Sequence, residues 1–248
     1  MIKGLLFDLN GTVIDILTDE GNSELYRMMA NLLDYYGVHL KPEAVRDFFF
    51  AHNRTQRRES SEEYPEFDVT AVFEAILDRF GSAATMAIPE EKRRWLPKFL
   101  AEAFRAGSRF KLELYPGVRQ VLDELHADYR MAAISDGQSL WALPELRRVG
   151  LGNDFEFTLV SSDFGFRKPD RRLFRVALDK FGLSPSEVIF IGNDMFRDVW
   201  GGAQTGMKTV FFQSNQGDWK SQGAEPDYII YNFSELPEAI RFLTRNES

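Results

Sequence analysis

Five short runs of Ile, Val, Leu and Phe recur along the chain, at residues 2–7, 130–135, 156–161, 188–192 and 208–212, and 227–230 is a candidate sixth. Each is too short for a helix and rich in the branched and aromatic residues that suit a strand buried on both faces. Helical patterns separate several of them, at 117–127, 139–149, 171–181 and 196–205. Gly182 stops the third of these, and Ser184-Pro185-Ser186-Glu187 makes a turn before the next strand. Strand and helix in alternation predict an open parallel sheet wrapped by helices, a Rossmann-like α/β core. Such sheets bind ligands beyond the carboxyl ends of their strands. Polar residues fall there: Asp8, Ser135 and the pair Asn193-Asp194 each close an apolar run.

Residues 16–111 carry a different pattern. Leu25, Met28, Met29, Leu32, Leu33 and Tyr36 follow the helical period up to Gly37. Val69, Val72, Phe73, Ile76, Leu77 and Phe80 repeat it before Gly81, and Trp95, Phe99, Leu100, Ala103 and Phe104 repeat it before Gly107. No strand is expected inside this block. The division that follows is a core of residues 1–15 and 112–248 with an inserted α-helical domain at 16–111. The aromatic stripes read as that domain's own core.

At 248 residues the chain is long enough for a core plus an insert. A formal charge of −8 argues against nucleic-acid or membrane-surface partners, which call for a basic footprint. The basic clusters Arg54-Thr55-Gln56-Arg57-Arg58 and Lys92-Arg93-Arg94 read first as solvated helix faces. Without cysteine there are no disulfides, thiolate metal sites or cysteine nucleophiles. The N-terminal apolar run is broken by Asp8 and is too short for a signal peptide, so a reducing cytoplasm is the expected setting.

Four segments carry the chemistry: Asp8-Leu9-Asn10-Gly11-Thr12; Ser135-Asp136-Gly137; Lys168-Pro169; and Gly192-Asn193-Asp194-Met195-Phe196-Arg197-Asp198. Together and in this order they resemble the haloacid dehalogenase superfamily, most of whose members are magnesium-dependent phosphatases. The resemblance covers essentially the whole core, and the helical insert lies where many members carry a cap. It implies a small phosphorylated substrate, Mg2+ as cofactor and an aspartyl-phosphate intermediate on Asp8.

The chemistry agrees with that resemblance. A transferring phosphoryl group carries charge on three oxygens, so it needs a cation, fixed donors and an in-line nucleophile. Asp8 supplies a carboxylate nucleophile. Magnesium takes oxygen ligands and retains waters, so one or two carboxylates suffice. Asp8, Asp194 and the main-chain carbonyl of Asn10 are the expected ligands, with Asp198 bound directly or through water from the same helix face. Ser135, with the amides of Asp136 and Gly137, offers donors to the phosphoryl oxygens, and Lys168 offers a point charge. The plainer alternatives are a helix N-cap for Ser135, a surface lysine for Lys168 and a charged helix start for Asp194 and Asp198. Arg54, Arg57 and Arg58 are candidate substrate contacts from the insert.

Position 10 departs from the family pattern, in which a second aspartate protonates the leaving group and then activates water. An amide does neither, whereas its main-chain carbonyl is unchanged. Three readings stay open: a substitution that traps substrate or intermediate; a slow phosphatase or phosphate-binding pseudoenzyme; or a reaction that needs no acid here, as in the dehalogenase and phosphonatase branches. Deamidation at Asn10-Gly11 would regenerate some aspartate. The fourth segment departs as well, with Asn193 where many members have aspartate.

Overall fold

The computed structural model describes residues 1–220 and 223–245. The chain divides into two compact units, Met1–Ile16 with Leu112–Ser248, and Leu17–Lys111. In chain order the elements begin with β1 (Gly4–Phe7), β2 (Ile14–Thr18), α1 (Ser23–Tyr35), α2 (Pro42–Glu59), α3 (Val69–Phe80), α4 (Ala83–Met86), α5 (Glu90–Ser108) and β3 (Arg109–Leu114). They continue with α6 (Val118–Leu125), β4 (Arg130–Ser135), α7 (Ser139–Arg148), β5 (Thr158–Val160), α8 (Arg171–Phe181) and β6 (Val188–Gly192). A widened π-type turn (Met195–Trp200), α9 (Gly201–Ala203), β7 (Lys208–Phe212), β8 (Tyr228–Ile230) and α10 (Leu236–Arg245) complete the chain.

The larger unit is a six-stranded sheet in the order β5-β4-β1-β6-β7-β8, with every neighbouring pair parallel. Strand β1 lies inside the sheet, pairing Leu5 with Met131 on one side and with Ile189 on the other. Successive side chains of a strand alternate between faces. Accordingly Leu5 and Phe7 join one apolar cluster, with Val118, Val121 and Leu122 of α6 and Leu236, Ile240 and Leu243 of α10. Leu6 joins the other, with Leu173, Phe174, Ala177 and Phe181 of α8. Both faces are therefore covered, as the unbroken apolar runs require. The expected Ser184–Glu187 turn is a short 3₁₀ segment with a capping box between Ser184 and Glu187.

The smaller unit is built from α1 to α5 around a ring cluster. Phe104 stacks on Phe49 at 4.3 Å, with Tyr26 and Phe73 both 6.0 Å away. Its three apolar stripes fall on α1, α3 and α5 as the periodicity predicts. Helix α2 carries none of those stripes: of its residues only Val45 and Phe49 are buried, and the run Phe48-Phe49-Phe50 breaks the helical period.

Two expectations need correction. Strands do occur at the margins of the 16–111 block, because β2 extends to Thr18 and β3 starts at Arg109, and the two pair as a separate two-stranded sheet. Pairing satisfies the backbone groups of both passages between the units, which a bare extended chain would leave open. The helix expected at 196–205 is instead a π-type turn over Met195–Trp200 followed by one short α-turn. No helix among the described residues is long and apolar enough to cross a membrane.

Candidate active site at the carboxyl ends of the strands

Asp8 follows β1 directly, and its amide donates to the Ile191 carbonyl of β6 at 2.9 Å, which extends the ladder to the carboxylate itself. The chain then turns tightly: Leu9 O accepts from the amides of Thr12, Val13 and Ile14. Gly11 holds φ at +86°, and a Cβ there would lie 2.2 Å from Asn193 Nδ2, so the turn takes glycine on both conformational and steric grounds. Thr12 Oγ1 donates to Asp8 Oδ2 at 2.9 Å and lies 3.2 Å from Asn193 Oδ1. Asn10 sits on this turn, half-buried.

Lys168 is the centre of the site. Its side chain is 2% exposed, and Nζ donates to Asp8 Oδ1 at 2.6 Å and to Asp198 Oδ1 at 2.7 Å. The Lys168–Pro169 bond is cis. Burial alone would depress the ammonium, but Asp198, Asp8 and Asp136 together push its pKa upward, so it stays charged. Burial, reinforced by the Asp8 charge, pushes Asp198 up to about 6 in spite of Lys168. The second oxygen of Asp198 turns back on the chain and accepts from the amides of Asn193 and Asp194, each at 3.0 Å.

Ser135 closes β4 and is fully buried, and its hydroxyl has no hydrogen-bond partner among the described residues. The N-cap of α7 is Gln138, not Ser135. A buried hydroxyl without a partner is costly and is a natural position for a ligand oxygen. Asp136 Oδ1 accepts from the Lys168 amide at 3.0 Å, while Oδ2 has no hydrogen-bond partner and lies 3.8 Å from Arg197 Nη1. Burial pushes this carboxyl upward, against the pull of Lys168 and Arg197.

Two expected contributions are spoken for elsewhere. The Gly137 amide donates to Ser161 Oγ at 2.9 Å, so this donor is engaged within the fold. The Asp194 carboxylate accepts from the amides of Phe196 and Arg197, from Arg197 Nε and Nη2, and from the Asp218 amide. Burial opposes its ionisation, but the Arg197 fork and these amides hold its pKa below the usual range. The Asp194 carboxylate is taken by Arg197 and that of Asp198 by Lys168. Arg54 and Arg58 are exposed on α2, and Arg57 pairs with Glu66 at 3.5 Å and lies over Phe67.

Arg197 was the residue that sequence reasoning missed, although its place three residues after Asp194 at a helix start was a signal for such a pair.

The donor set suits magnesium. Among the described residues no three acidic or histidine side chains form a ready metal cage, but magnesium requires only one or two carboxylates. Asp8, Asp136, Asp194 and Asp198 bring four carboxyl groups to the two cations Lys168 and Arg197. Each oxygen of Asp8 has a single donor and keeps accepting capacity. Every candidate ligand atom is oxygen.

The chain is similar to proteins of known designation. The chain is 31% identical over 154 residues to a glyceraldehyde 3-phosphate phosphatase of Pyrococcus furiosus, a match covering 60% of this chain and 63% of that enzyme, so under two thirds of its length is spanned. It is 25% identical to the glyceraldehyde 3-phosphate phosphatase of Methanopyrus kandleri, covering 99% of this chain and all of that one. Among solved structures, a 2-haloacid dehalogenase from Pseudomonas syringae superposes with a TM-score of 0.68 at 23% identity, covering 98% of this chain and 99% of that one, which shows a shared fold. The family model of the haloacid dehalogenase-like hydrolases matches residues 2–206, and the chain belongs to that family.

Proposed function

We propose that this protein is a magnesium-dependent phosphatase-type hydrolase of a small phosphorylated metabolite, acting through a phosphorylated Asp8. The observation that carries the reading is Lys168, buried and bridging Asp8 and Asp198, beside the unpartnered Ser135 hydroxyl. Relatives named as glyceraldehyde 3-phosphate phosphatases support the substrate class.

Asp8 attacks the phosphorus in line, and the ester oxygen departs. Ser135 Oγ donates to a phosphoryl oxygen, and Lys168 Nζ lowers the repulsion between the carboxylate and the phosphoryl group. Magnesium, held by Asp8 and the Asn10 carbonyl, would neutralise charge on the transferring group. Asp194 stays on its arginine fork. Residues Leu17–Lys111 act as the cap that sets specificity, and the setting is cytoplasmic.

The weak step is the second. Asn10 cannot protonate the leaving oxygen or activate water, so leaving groups that depart without a proton are favoured and hydrolysis of phospho-Asp8 is slow. General acid–base catalysis is worth about 10²–10⁴-fold. Phosphate release from an aryl phosphate with magnesium should therefore rise by about that factor in Asn10→Asp. If neither form turns over, the phosphatase reading fails. Phosphate on Asp8 in the intact mass of the unaltered chain after an acyl phosphate challenge would show the first half-reaction. Its presence without turnover would identify a phosphoryl-accepting pseudoenzyme.

A further inference from the structure

After β7 the chain does not leave the sheet as an open loop. Residues Ser214 to Asp218 cross the strand ends and are pinned at both sides. At one side Tyr115 Oη donates to Asn215 Oδ1, and Gln216 Nε2 lies 3.1 Å from Tyr115 Oη and donates to Asp15 Oδ1 at 3.0 Å. At the other, the Met195 amide donates to Asp218 O at 2.8 Å, and the Asp218 amide donates to Asp194 Oδ2 at 3.2 Å. Between them Ser214 Oγ accepts from Asn193 Nδ2 at 3.4 Å. Gly217, with φ +86°, packs so tightly that a Cβ would lie 2.2 Å from Asn193 O.

The residues at the first side have a particular place in the chain. Asp15 lies in β2, one residue before Ile16, where the core unit hands over to residues Leu17–Lys111. Tyr115 follows β3, just after the chain re-enters the core at Leu112, and its amide donates to Val13 O at 3.2 Å. Its ring meets that of Phe212, the last residue of β7, edge to face at 5.2 Å. One side chain, Gln216, therefore touches both passages of the chain, and the residue two positions later bonds to the Asp194 carboxylate.

We infer that Ser214–Asp218 is a strap through which the two chain passages, at Asp15 and Tyr115, set the position of the strand end bearing Asn193 and Asp194, with Gln216 and Tyr115 as its positioning residues. The strap goes beyond the phosphatase reading and does not depend on it, because every contact lies in the unliganded core.

Amide hydrogen exchange on the full, unliganded chain tests the strap, since the Met195 and Asp218 amides are protected only at its far end. Tyr115→Phe and Gln216→Ala should each accelerate exchange at Met195 and Asp218 by roughly two- to tenfold, the range expected for one lost hydrogen bond. Exchange across β6 should stay unchanged. Asp15→Asn, which keeps the acceptor for Gln216, should exchange like the unaltered chain at both amides. Unchanged exchange at Met195 and Asp218 in either of the first two variants overturns the strap. So does equal acceleration throughout β6, which marks general loosening, and so does acceleration by Asp15→Asn as large as that by Gln216→Ala.

Discussion

Replacing Lys168 with methionine keeps most of the side-chain volume and removes the ammonium that bridges Asp8 and Asp198, whose carboxylate oxygens lie 2.6 and 2.7 Å from Nζ. Both acids are buried, so the variant confines two carboxylates with no shared counter-charge. Breaking a buried ion pair on one side costs about 3–5 kcal/mol. For a chain of this size that is roughly 6–20 °C in melting temperature. The loss should depend on pH in a definite sense. Burial already pushes Asp198 up to about 6 in the intact site, and without Lys168 its pKa is expected to rise further above that of an unfolded aspartate. A carboxyl group with a raised folded pKa keeps a proton that the unfolded chain has released, so its stability contribution falls as pH rises. Between pH 6 and 8 one retained proton is worth about 1.36 kcal/mol per unit, or about 2.7 kcal/mol in all. Urea unfolding of both proteins at pH 6 and pH 8 measures this. The deficit of Lys168→Met should be large at pH 8 and much smaller at pH 6. A deficit below about 1 kcal/mol at pH 8, or one equal at the two values, would refute the assignment of Lys168 as the counter-charge of both acids.

Ser135→Ala should leave the melting temperature unchanged or slightly raised, because the hydroxyl it removes is buried without a partner; an N-cap serine would instead cost about 1 kcal/mol. The same variant should bind inorganic phosphate about ten- to a hundredfold more weakly by calorimetry, the worth of a hydrogen bond to a charged group. Phe104→Ala should cost about 3–5 kcal/mol in denaturant unfolding, because it empties the centre of the ring cluster formed with Phe49, Tyr26 and Phe73. Lys3 and the Ser184 cap lower Glu187 to about 2, so its contribution is present above the unfolded value near 4.5 and fades as pH falls toward 2. Glu187→Gln should therefore flatten the fall in melting temperature between pH 5 and pH 2.5, and an unchanged acid limb would count against this pairing.

Much of this architecture is legible in the sequence because burial on both faces leaves an uninterrupted apolar run. Residues 130–135 and 208–212 coincide with β4 and β7 for that reason. The places of Asp8 and Ser135 at the ends of their strands are equally legible, since each closes an uninterrupted apolar run, whereas the burial of Lys168 is not. Helix α2 is hidden because only Val45 and Phe49 among its residues are buried, which is too few to make a stripe, and three consecutive phenylalanines blur the period. The fate of Asp194 is hidden for a different reason. Whether its carboxylate turns toward Asp8 or toward Arg197 depends on the winding of the next six residues, and i, i+4 spacing assumes an α-helix. Residues 214–218 are harder still: their partners Asp15 and Tyr115 lie about 200 and 100 positions away.

The widened turn at Met195–Trp200 has a consequence for how this segment tolerates change. Both the Asp198 and Val199 amides reach the Asp194 carbonyl, at 2.9 and 3.1 Å, so the backbone accommodates one residue more than an α-turn holds. Removing a single residue there would restore ordinary winding and swing Asp198 by about 100° around the helix axis, away from Lys168. Adding one would widen the turn further and swing Asp198 in the opposite sense. The segment can therefore vary in its side chain at the half-buried Phe196 far more freely than in length: the count of residues between Asp194 and Asp198 works as a gauge that keeps the second carboxylate on the lysine.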